Sequence, residues 1–550
     1  MSYDMIIRNG RIIDGTGNPW YRADIGIIGD RITAIGCLSA DAQRVIDAGD
    51  QIVCPGFIDM HTHSDLMVFV EPELPPKLYQ GITTEVITQD GISVAPISPA
   101  TELTWRKVLA AVDGDPPIPW AWSSLGDYMD ALERARPGLN LVTLIPYGNV
   151  RSLVLGFGAV TPDARQLEAM KALVARGMEE GAFGMSLGLI YQPQMYATQD
   201  ELTEVFRVVG RYRGIMSVHM RNEGDLLLEA ADEVIQICMA TGCALHISHL
   251  KVAGRRNWGK GALLMEKLEE ARERGLDVTF DQYPYTAAST ALHQILPPWA
   301  TEGGVGKIVA RLQEGAIRAR IAWEIAHMVG EERPTSDPIM RFWENFVASA
   351  GWDGILITSV STAVNKWMEG RNVSAIAAEV GKPPIELALD LLVAEECGVS
   401  MAAFIASEEN VRRFLAHDFG TLGSDGLLVG KPHPRAYGTF PRALGAYVRQ
   451  HGVLPLHQMI RRMTSLPAQR LGLQDRGIIR AGMKADLVIF DPDAIGDTAS
   501  FGEPRQFPTG IAAVIVNGAV AVDSGNLTGA RSGEVLRSSS RPVAASRRLE

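Results

Sequence analysis

The chain has 550 residues, 46% hydrophobic and 21% charged, with a formal net charge of -12. That composition describes a globular protein with a large core and excludes general disorder, and the acidic balance argues against a nucleic-acid surface. The length exceeds that of one ordinary small domain, whereas a barrel with a satellite domain fits it.

Residues 3 to 53 alternate short apolar runs with turn residues. Asn9-Gly10 and Gly29-Asp30, set between β-branched runs, are hairpin signals, and a small antiparallel sheet is expected. Next comes Val53-Cys-Pro-Gly-Phe-Ile-Asp-Met-His-Thr-His63, an apolar run that reads as a short buried strand ending in two histidines one residue apart. In a β-conformation residues i and i+2 point the same way, so His61 and His63 are expected to present both imidazoles to one side as a pair of metal ligands. A lone His-x-His arises by chance. Here, however, His219, His249 and Asp425 also follow apolar, β-branched runs, and zinc and its neighbours take imidazole and carboxylate ligands gathered from distant segments.

From Leu139 to Asp281 strand-like runs alternate with helical segments. The runs 139–146, 182–187, 215–219, 244–249 and 278–281 are separated by helices near 161–180, 199–212, 225–241 and 260–274. This succession predicts repeated βα units closing into a barrel. His219, His249 and Asp281 then fall at C-terminal strand ends, where catalytic residues of such barrels collect. His246, three positions before His249, is expected to face the other way as a core or supporting residue.

Residues 292–350 break the rhythm with Pro297-Pro298 and Gly303-Gly304 before Gly354-Ile-Leu-Ile-Thr358 resumes a strand, which an insertion over the barrel mouth or, equally, a crossover helix pair without catalytic consequence explains. Gly482 to about Gly525 repeats the texture of the N-terminus. The expected organisation is a small discontinuous β-sandwich domain of residues 1–54 plus 480–530, a catalytic barrel over 55–479, and a mobile tail over 531–550, rich in Ser and Arg.

Five cysteines, Cys37, Cys54, Cys238, Cys243 and Cys397, have no CxxC spacing, and their odd number leaves one unpaired in any disulfide scheme. A reduced, cytoplasmic setting is expected. The first residues lack a basic stretch followed by an apolar one, and no apolar run reaches the roughly 18 to 20 residues of a membrane span. The expected partner is a small-molecule substrate, with neither nucleic acid nor membrane; oligomeric state is not legible.

Pro55-Gly-Phe-Ile-Asp-Met-His-Thr-His63 resembles the first-strand signature of the amidohydrolase superfamily, metal-dependent hydrolases on a distorted (β/α)8 TIM barrel. Gly184-Met-Ser-Leu-Gly-Leu-Ile-Tyr191, His246-Ile-Ser-His-Leu-Lys251, Asp281-Gln-Tyr-Pro-Tyr-Thr286, Gly423-Ser-Asp-Gly426 and His433-Pro-Arg-Ala-Tyr-Gly-Thr-Phe-Pro-Arg442 narrow the resemblance to the D-aminoacylase, or N-acyl-D-amino-acid deacylase, family. The resemblance implies one or two Zn2+ ions, or other divalent metals, held by His61, His63, His219, His249 and Asp425. It also implies that Asp425 takes a proton from the attacking water and passes it to the leaving nitrogen.

Many D-aminoacylases carry an Asn-Cys-Gly after the second strand, whose cysteine is a metal ligand. Here Asp90 of Gln89-Asp-Gly91 stands in its place, which leaves the metal count open; Glu85, Gln89 and Cys54 are set aside. The substrate carboxylate calls for a fixed cation with hydroxyl donors beside it. Lys251, Tyr283 and Arg435 match family positions associated with it, as do Tyr191 and Ser289 more weakly. Ala287-Ala-Ser-Thr-Ala-Leu292 contains no arginine of the kind expected for D-Asp or D-Glu derivatives, so a neutral or apolar D-side chain is expected. The alternatives are a cyclic amidase of dihydropyrimidinase or dihydroorotase type, disfavoured because no lysine ends an early strand, and a catalytically idle ligand-binding homologue.

Overall fold

Eight short parallel strands organise the structure, a computed structural model that describes residues 2–330 and 337–542. They are β1 (Phe57–Asp59), β2 (Ile82–Ile87), β3 (Asn140–Thr143), β4 (Gly184–Gly188), β5 (Ile215–His219), β6 (Ala244–Ile247), β7 (Val278–Gln282) and β8 (Gly420–Leu422). β1 to β3 pair in one run and β4 to β8 in another. Ile145–Pro146, continuing β3, pairs with β4, and Met60 N donates to Leu422 O at 3.1 Å between β1 and β8. The strands close into a (β/α)8 barrel.

The strands are buried along nearly their whole length, so the polar side chains they carry, such as Thr279 and Asp281, meet partners inside the protein and not solvent. The intervening helices start and stop on local chemistry. Helix Ala164–Glu180 begins at Asp163, whose carboxylate accepts from Gln166 N in a capping box, and ends at Gly181 with φ 115°. Thr198 caps Gln199–Arg211 in the same manner, its hydroxyl accepting from Glu201 N.

A separate sheet takes strands from both ends of the chain. Ile52–Pro55, immediately before β1, pairs antiparallel with Leu487–Phe490, and this contact joins the N-terminal strands to Ile511–Val516 and Ala519–Asp523. Ile7, Ile25, Ile27, Val53, Leu487, Ile489 and Ile515 form its core. Gly29-Asp30 makes the expected hairpin, since Ile28 pairs with Arg31. Asn9-Gly10 does not. Strand Tyr3–Ile12 runs through it with a register shift, and Asn9 at φ 58° forms a bulge, a conformation that asparagine tolerates as readily in a bulge as in a turn.

Two expectations are corrected. The departure from barrel rhythm between β7 and β8 is larger than 292–350: Ala287–Ala291, Ile355–Val360, Arg371–Asn372 and Val399–Phe404 make an antiparallel sheet of their own, so the strand at 354–358 does not return to the barrel. A short β-branched run carries no mark of which sheet it joins. Nor do residues 531–542 form a mobile tail. Val535–Leu536 pairs in parallel with Leu141–Val142 of β3, Ser538 N donates to Gly181 O at 2.8 Å, and Arg537 pairs with Asp130 and Glu133. Two apolar residues suffice because the edge of β3 beside β4 offers unpaired backbone groups. Residues 543–550 of that expectation, and 331–336 of the insertion, lie outside the described residues. Among the described residues no helix is long and apolar enough to cross a membrane.

Candidate metal centre and active site

Every expected metal ligand lies at the C-terminal rim of the barrel, on β1, β2, β5, β6 and β8 or just beyond them. β1 stops at Asp59 because its Oδ1 accepts from Ser424 N (2.7 Å) and His61 N (3.3 Å), which bends the chain at Met60–His61. His61 and His63 therefore do not share one continuous strand, contrary to the alternation argument, and Thr62–His63 instead pairs with Gly426–Leu427. Their rings still converge, with centroids 5.3 Å apart.

Asp90, His249 and Asp425 each follow a strand end at positive φ, 56°, 35° and 47°. A non-glycine residue held there costs about 1–3 kcal/mol and persists only where its surroundings impose it. The strain aims these side chains at a common point.

Two groups of donors result, His61–His63–Asp90–Asp425 and Asp90–His219–His249, each with its ligand atoms within 4.8 Å of one another. Asp90 belongs to both. Its Oδ1 stands 3.6 Å from His61 Nε2 and 3.8 Å from His249 Nε2, and its Oδ2 stands 3.7 Å from His63 Nε2. Asp425 Oδ1 is 3.3 Å from His63 Nε2 and 3.7 Å from His61 Nε2. Donors placed about 2.0–2.1 Å from a tetrahedral zinc stand roughly 3.3 Å apart, so these separations suit ligands of shared ions.

Hydrogen bonding agrees with that fit. Both ring nitrogens of His61 and of His219, and Asp90 Oδ1, are buried without a hydrogen-bond partner, an arrangement native interiors avoid unless something else meets those atoms. Burial pushes His219 down to about 4, leaving it the neutral imidazole that a metal needs. At His61 burial also opposes the charge, but the Asp90 and Asp425 carboxylates outweigh it and hold the imidazole well above its ordinary value. Burial pushes the Asp425 carboxyl up, and Arg435 and His61 more than offset this, holding it well below the usual carboxylate range. The cluster attracts positive charge.

Two further acidic residues brace this centre: Asp281, expected at a catalytic strand end, and Glu223, which the sequence did not single out. Asp281, at the end of β7, accepts from His249 N (2.9 Å), meets His246 Nε2 (3.0 Å) and faces His61 Nδ1 (3.7 Å); His246 also bonds Thr279. Glu223, four residues past His219, accepts from Lys251 Nζ with both oxygens at 2.8 Å and lies 3.3 Å from His249 Nδ1. An acidic residue that soon follows a ligand strand was the available signal for Glu223.

The expected substrate groups divide. Arg435 is buried, its Nη1 2.8 Å from Asp425 Oδ2 and its guanidinium 4.6 Å above the Tyr283 ring, while its Nε and the Tyr283 hydroxyl have no hydrogen-bond partner. Lys251 is committed to Glu223 and also meets His249 Nδ1 at 2.7 Å, so its charge is already balanced. The Tyr191 hydroxyl meets Thr290 Oγ1 at 3.0 Å, and its ring packs edge-on against His219. Ser289 donates its hydroxyl hydrogen to Met401 O (2.9 Å) and reaches Arg435 through its carbonyl, so that hydrogen is not free for a ligand.

Leu189 N donates to His219 O (3.0 Å), and from there Leu189, Ile190, Met195, Leu296, Phe342 and Trp343, with Arg221 and Glu344, line a narrow pocket of about 20 Å³. An open pocket of about 920 Å³ lies at the opposite end of the barrel around Asp277, Thr279, His417 and Arg470, away from every candidate ligand.

A family model described as "Amidohydrolase family" matches residues 44–522. The chain is 37% identical to an N-acyl-D-glutamate deacylase of Alcaligenes xylosoxydans xylosoxydans over 94% of this chain and 93% of that one. The crystal structure of an N-acyl-D-glutamate deacylase from Bordetella bronchiseptica, complexed with zinc and a phosphonate inhibitor that mimics the tetrahedral intermediate, superposes with a TM-score of 0.81. It shares 33% identity and covers 98% of this chain and 100% of its own. A D-aminoacylase structure described for its binuclear metal centre gives a TM-score of 0.80 at 32% identity, over 97% of this chain and 100% of its own. An eight-stranded barrel with a histidine and aspartate cluster on its C-terminal rim defines the class, a barrel hydrolase. Within that class, the chain belongs to the amidohydrolase family.

Proposed function

We propose that this protein hydrolyses the amide bond of N-acyl-D-amino acids to a carboxylate and a free D-amino acid. One observation carries the reading: two donor groups sharing Asp90, with buried imidazole nitrogens that nothing in the protein satisfies. His61, His63, Asp90 and Asp425 are suited to hold one zinc ion, and Asp90, His219 and His249 another. Zinc bound there supplies a lowered pKa for water and polarisation of the scissile carbonyl.

The protein's own groups do the rest. Asp425, kept ionised by Arg435, accepts a proton from the attacking water and delivers it to the leaving nitrogen. Arg435 Nε and the Tyr283 hydroxyl, the two unpartnered donors beside it, receive the substrate carboxylate, with Lys251 as a further lining cation and Tyr191 beside the carbonyl. The D-configuration is taken from the relatives' activities. For the side chain we favour neutral or apolar groups. The segment 287–292 beside Tyr283 carries no arginine, and Arg221, two residues past His219, is committed to both Glu233 oxygens and to the carbonyls of Met195 and Ala197. Five free cysteines, four of them buried, fit a reducing cytoplasm.

The test is a panel of N-acetyl-D- and L-amino acids with dihydropyrimidines on zinc-replete protein. Hydrolysis of D-isomers alone is expected; ring opening without it would move the assignment to the cyclic amidases. Asp425→Asn is expected to lower kcat at least about 100-fold with zinc content retained, and wild-type turnover in that variant removes Asp425 from its role.

A further inference from the structure

One buried ammonium touches two of the segments that carry candidate ligands. Lys77 lies in the short helix Pro75–Leu78, before β2, with its side chain wholly buried. Its Nζ stands 3.0 Å from Asp59 Oδ2, 2.9 Å from Ser424 Oγ and 2.5 Å from Thr62 Oγ1, which engages all three donors of an ammonium. Thr62 separates His61 from His63, and Ser424 precedes Asp425. Asp59 in turn accepts from both Ser424 N and His61 N, and Asp425 N donates to His61 O at 2.7 Å. The same stretch of chain reaches the substrate side, since Gln80 bonds Ala436 O (3.0 Å) and Phe440 N (3.3 Å) in the helix that opens with Arg435.

Stability alone is a poor reason to keep this arrangement, because a buried ion pair is often matched or bettered by apolar residues of similar volume. Geometry is a better one. Asp425 sits at φ 47°, a conformation its neighbours must impose, and Ser424 is the neighbour held from two sides. Lys77 makes no contact of this kind with Asp90, His219 or His249; its fourth polar neighbour, at 3.5 Å, is Glu85.

We propose that Lys77 is the positioning residue for the His61–His63–Asp425 half of the centre, acting through Thr62, Asp59 and Ser424. The inference rests on the two-group reading of the metal centre given above. It predicts an effect confined to one half.

The experiment is zinc titration of chelated full-length protein, followed by calorimetry, for the wild type and for Lys77→Met/Asp59→Asn. That double change removes the ammonium together with the Asp59 charge that faces it at 3.0 Å; Lys77→Met alone serves as a second variant. The same changes are repeated in a His61→Ala/His63→Ala background, which leaves only Asp90, His219 and His249 as a group. In the wild-type background zinc affinity is expected to fall roughly 10- to 100-fold, the usual effect of removing an orienting partner. In the second background it is expected to change less than about 3-fold. Equal losses in both backgrounds mean a general structural role and overturn the proposal, as does an unchanged affinity in the first. A wild type that takes up no zinc overturns instead the metal reading beneath it.

Discussion

Tyr283 is the residue where binding and stability pull in opposite directions. Its hydroxyl is buried and unpartnered beside Arg435, so the free protein gains nothing from it, whereas a carboxylate arriving there accepts its hydrogen. A hydrogen bond to a charged group contributes about 1.5–3 kcal/mol. Tyr283→Phe is therefore expected to raise KM roughly 10- to 100-fold, with a melting temperature equal to or above that of the wild type, read by steady-state kinetics and calorimetry on the same preparation. A variant with unchanged KM places the carboxylate elsewhere. Glu85 is a second case. Burial raises its carboxyl to about 7, against the opposing pull of Lys77. The folded protein thus binds a proton that the unfolded chain has lost between about pH 4.5 and pH 7, so stability from this group falls across that window and the loss is complete above it. Lys77 is already balanced by Asp59, so Glu85→Gln leaves no charge unpaired. Its unfolding free energy is expected to gain on the wild type by up to about 3 kcal/mol at pH 8 and by little at pH 5, and a gap that does not widen with pH refutes the assignment.

At the scale of elements, what could be read from the sequence depended on whether local pattern decides the structure. The strands Gly184–Gly188 through Val278–Gln282 and their helices are legible because short strand-like runs and longer helical segments alternate at a regular interval. His61, His63, His219, His249 and Asp425 are legible because each closes such a run or follows one. Asp90 depended on a motif comparison, since nothing local distinguishes it from Glu85 or Gln89. Lys77 and Glu223 were missed because their roles come from contacts with Ser424 and Lys251, far away in sequence. The same cause hid the destination of Ile355–Val360 and of Val535–Leu536. That last strand permits a direct check. Gly533 leads into it so closely that a Cβ would stand 2.0 Å from Leu139 O and 2.3 Å from Leu139 C, both backbone atoms that cannot swing aside. Gly533→Ala is expected to cost about 1–3 kcal/mol and to approach the loss caused by ending the chain at Ala530, measured by denaturant unfolding. An alanine variant as stable as the wild type means that the terminal strand is not seated on β3.

On the scale of the whole molecule, the rim cluster does for the barrel what the sheet of both chain ends does for the satellite domain: it ties together residues far apart in sequence. Candidate ligands from 61 to 425 approach within 4.8 Å in each group, at or just after the ends of five of the eight strands. Three of these ligands, Asp90, His249 and Asp425, sit at positive φ, and the ring nitrogens of His61 and His219 have no partner within the protein, so the rim is where the barrel stores strain and unmet polar groups. An ion that binds only the folded form stabilises it by RT ln(1 + [L]/Kd), about 2.7 kcal/mol at 100 times Kd. Zinc-loaded protein is therefore expected to melt several degrees above chelated protein, with the rise growing logarithmically with free zinc. Because Asp90 alone belongs to both groups, Asp90→Ala is expected to remove most of that rise, whereas His219→Ala, which touches one group, removes only part. Calorimetric scans of the three proteins across a zinc series separate these cases: equal residual rises for Asp90→Ala and His219→Ala mean that Asp90 is not shared, and a wild type whose melting temperature ignores zinc means that the convergence of these side chains serves something other than a metal.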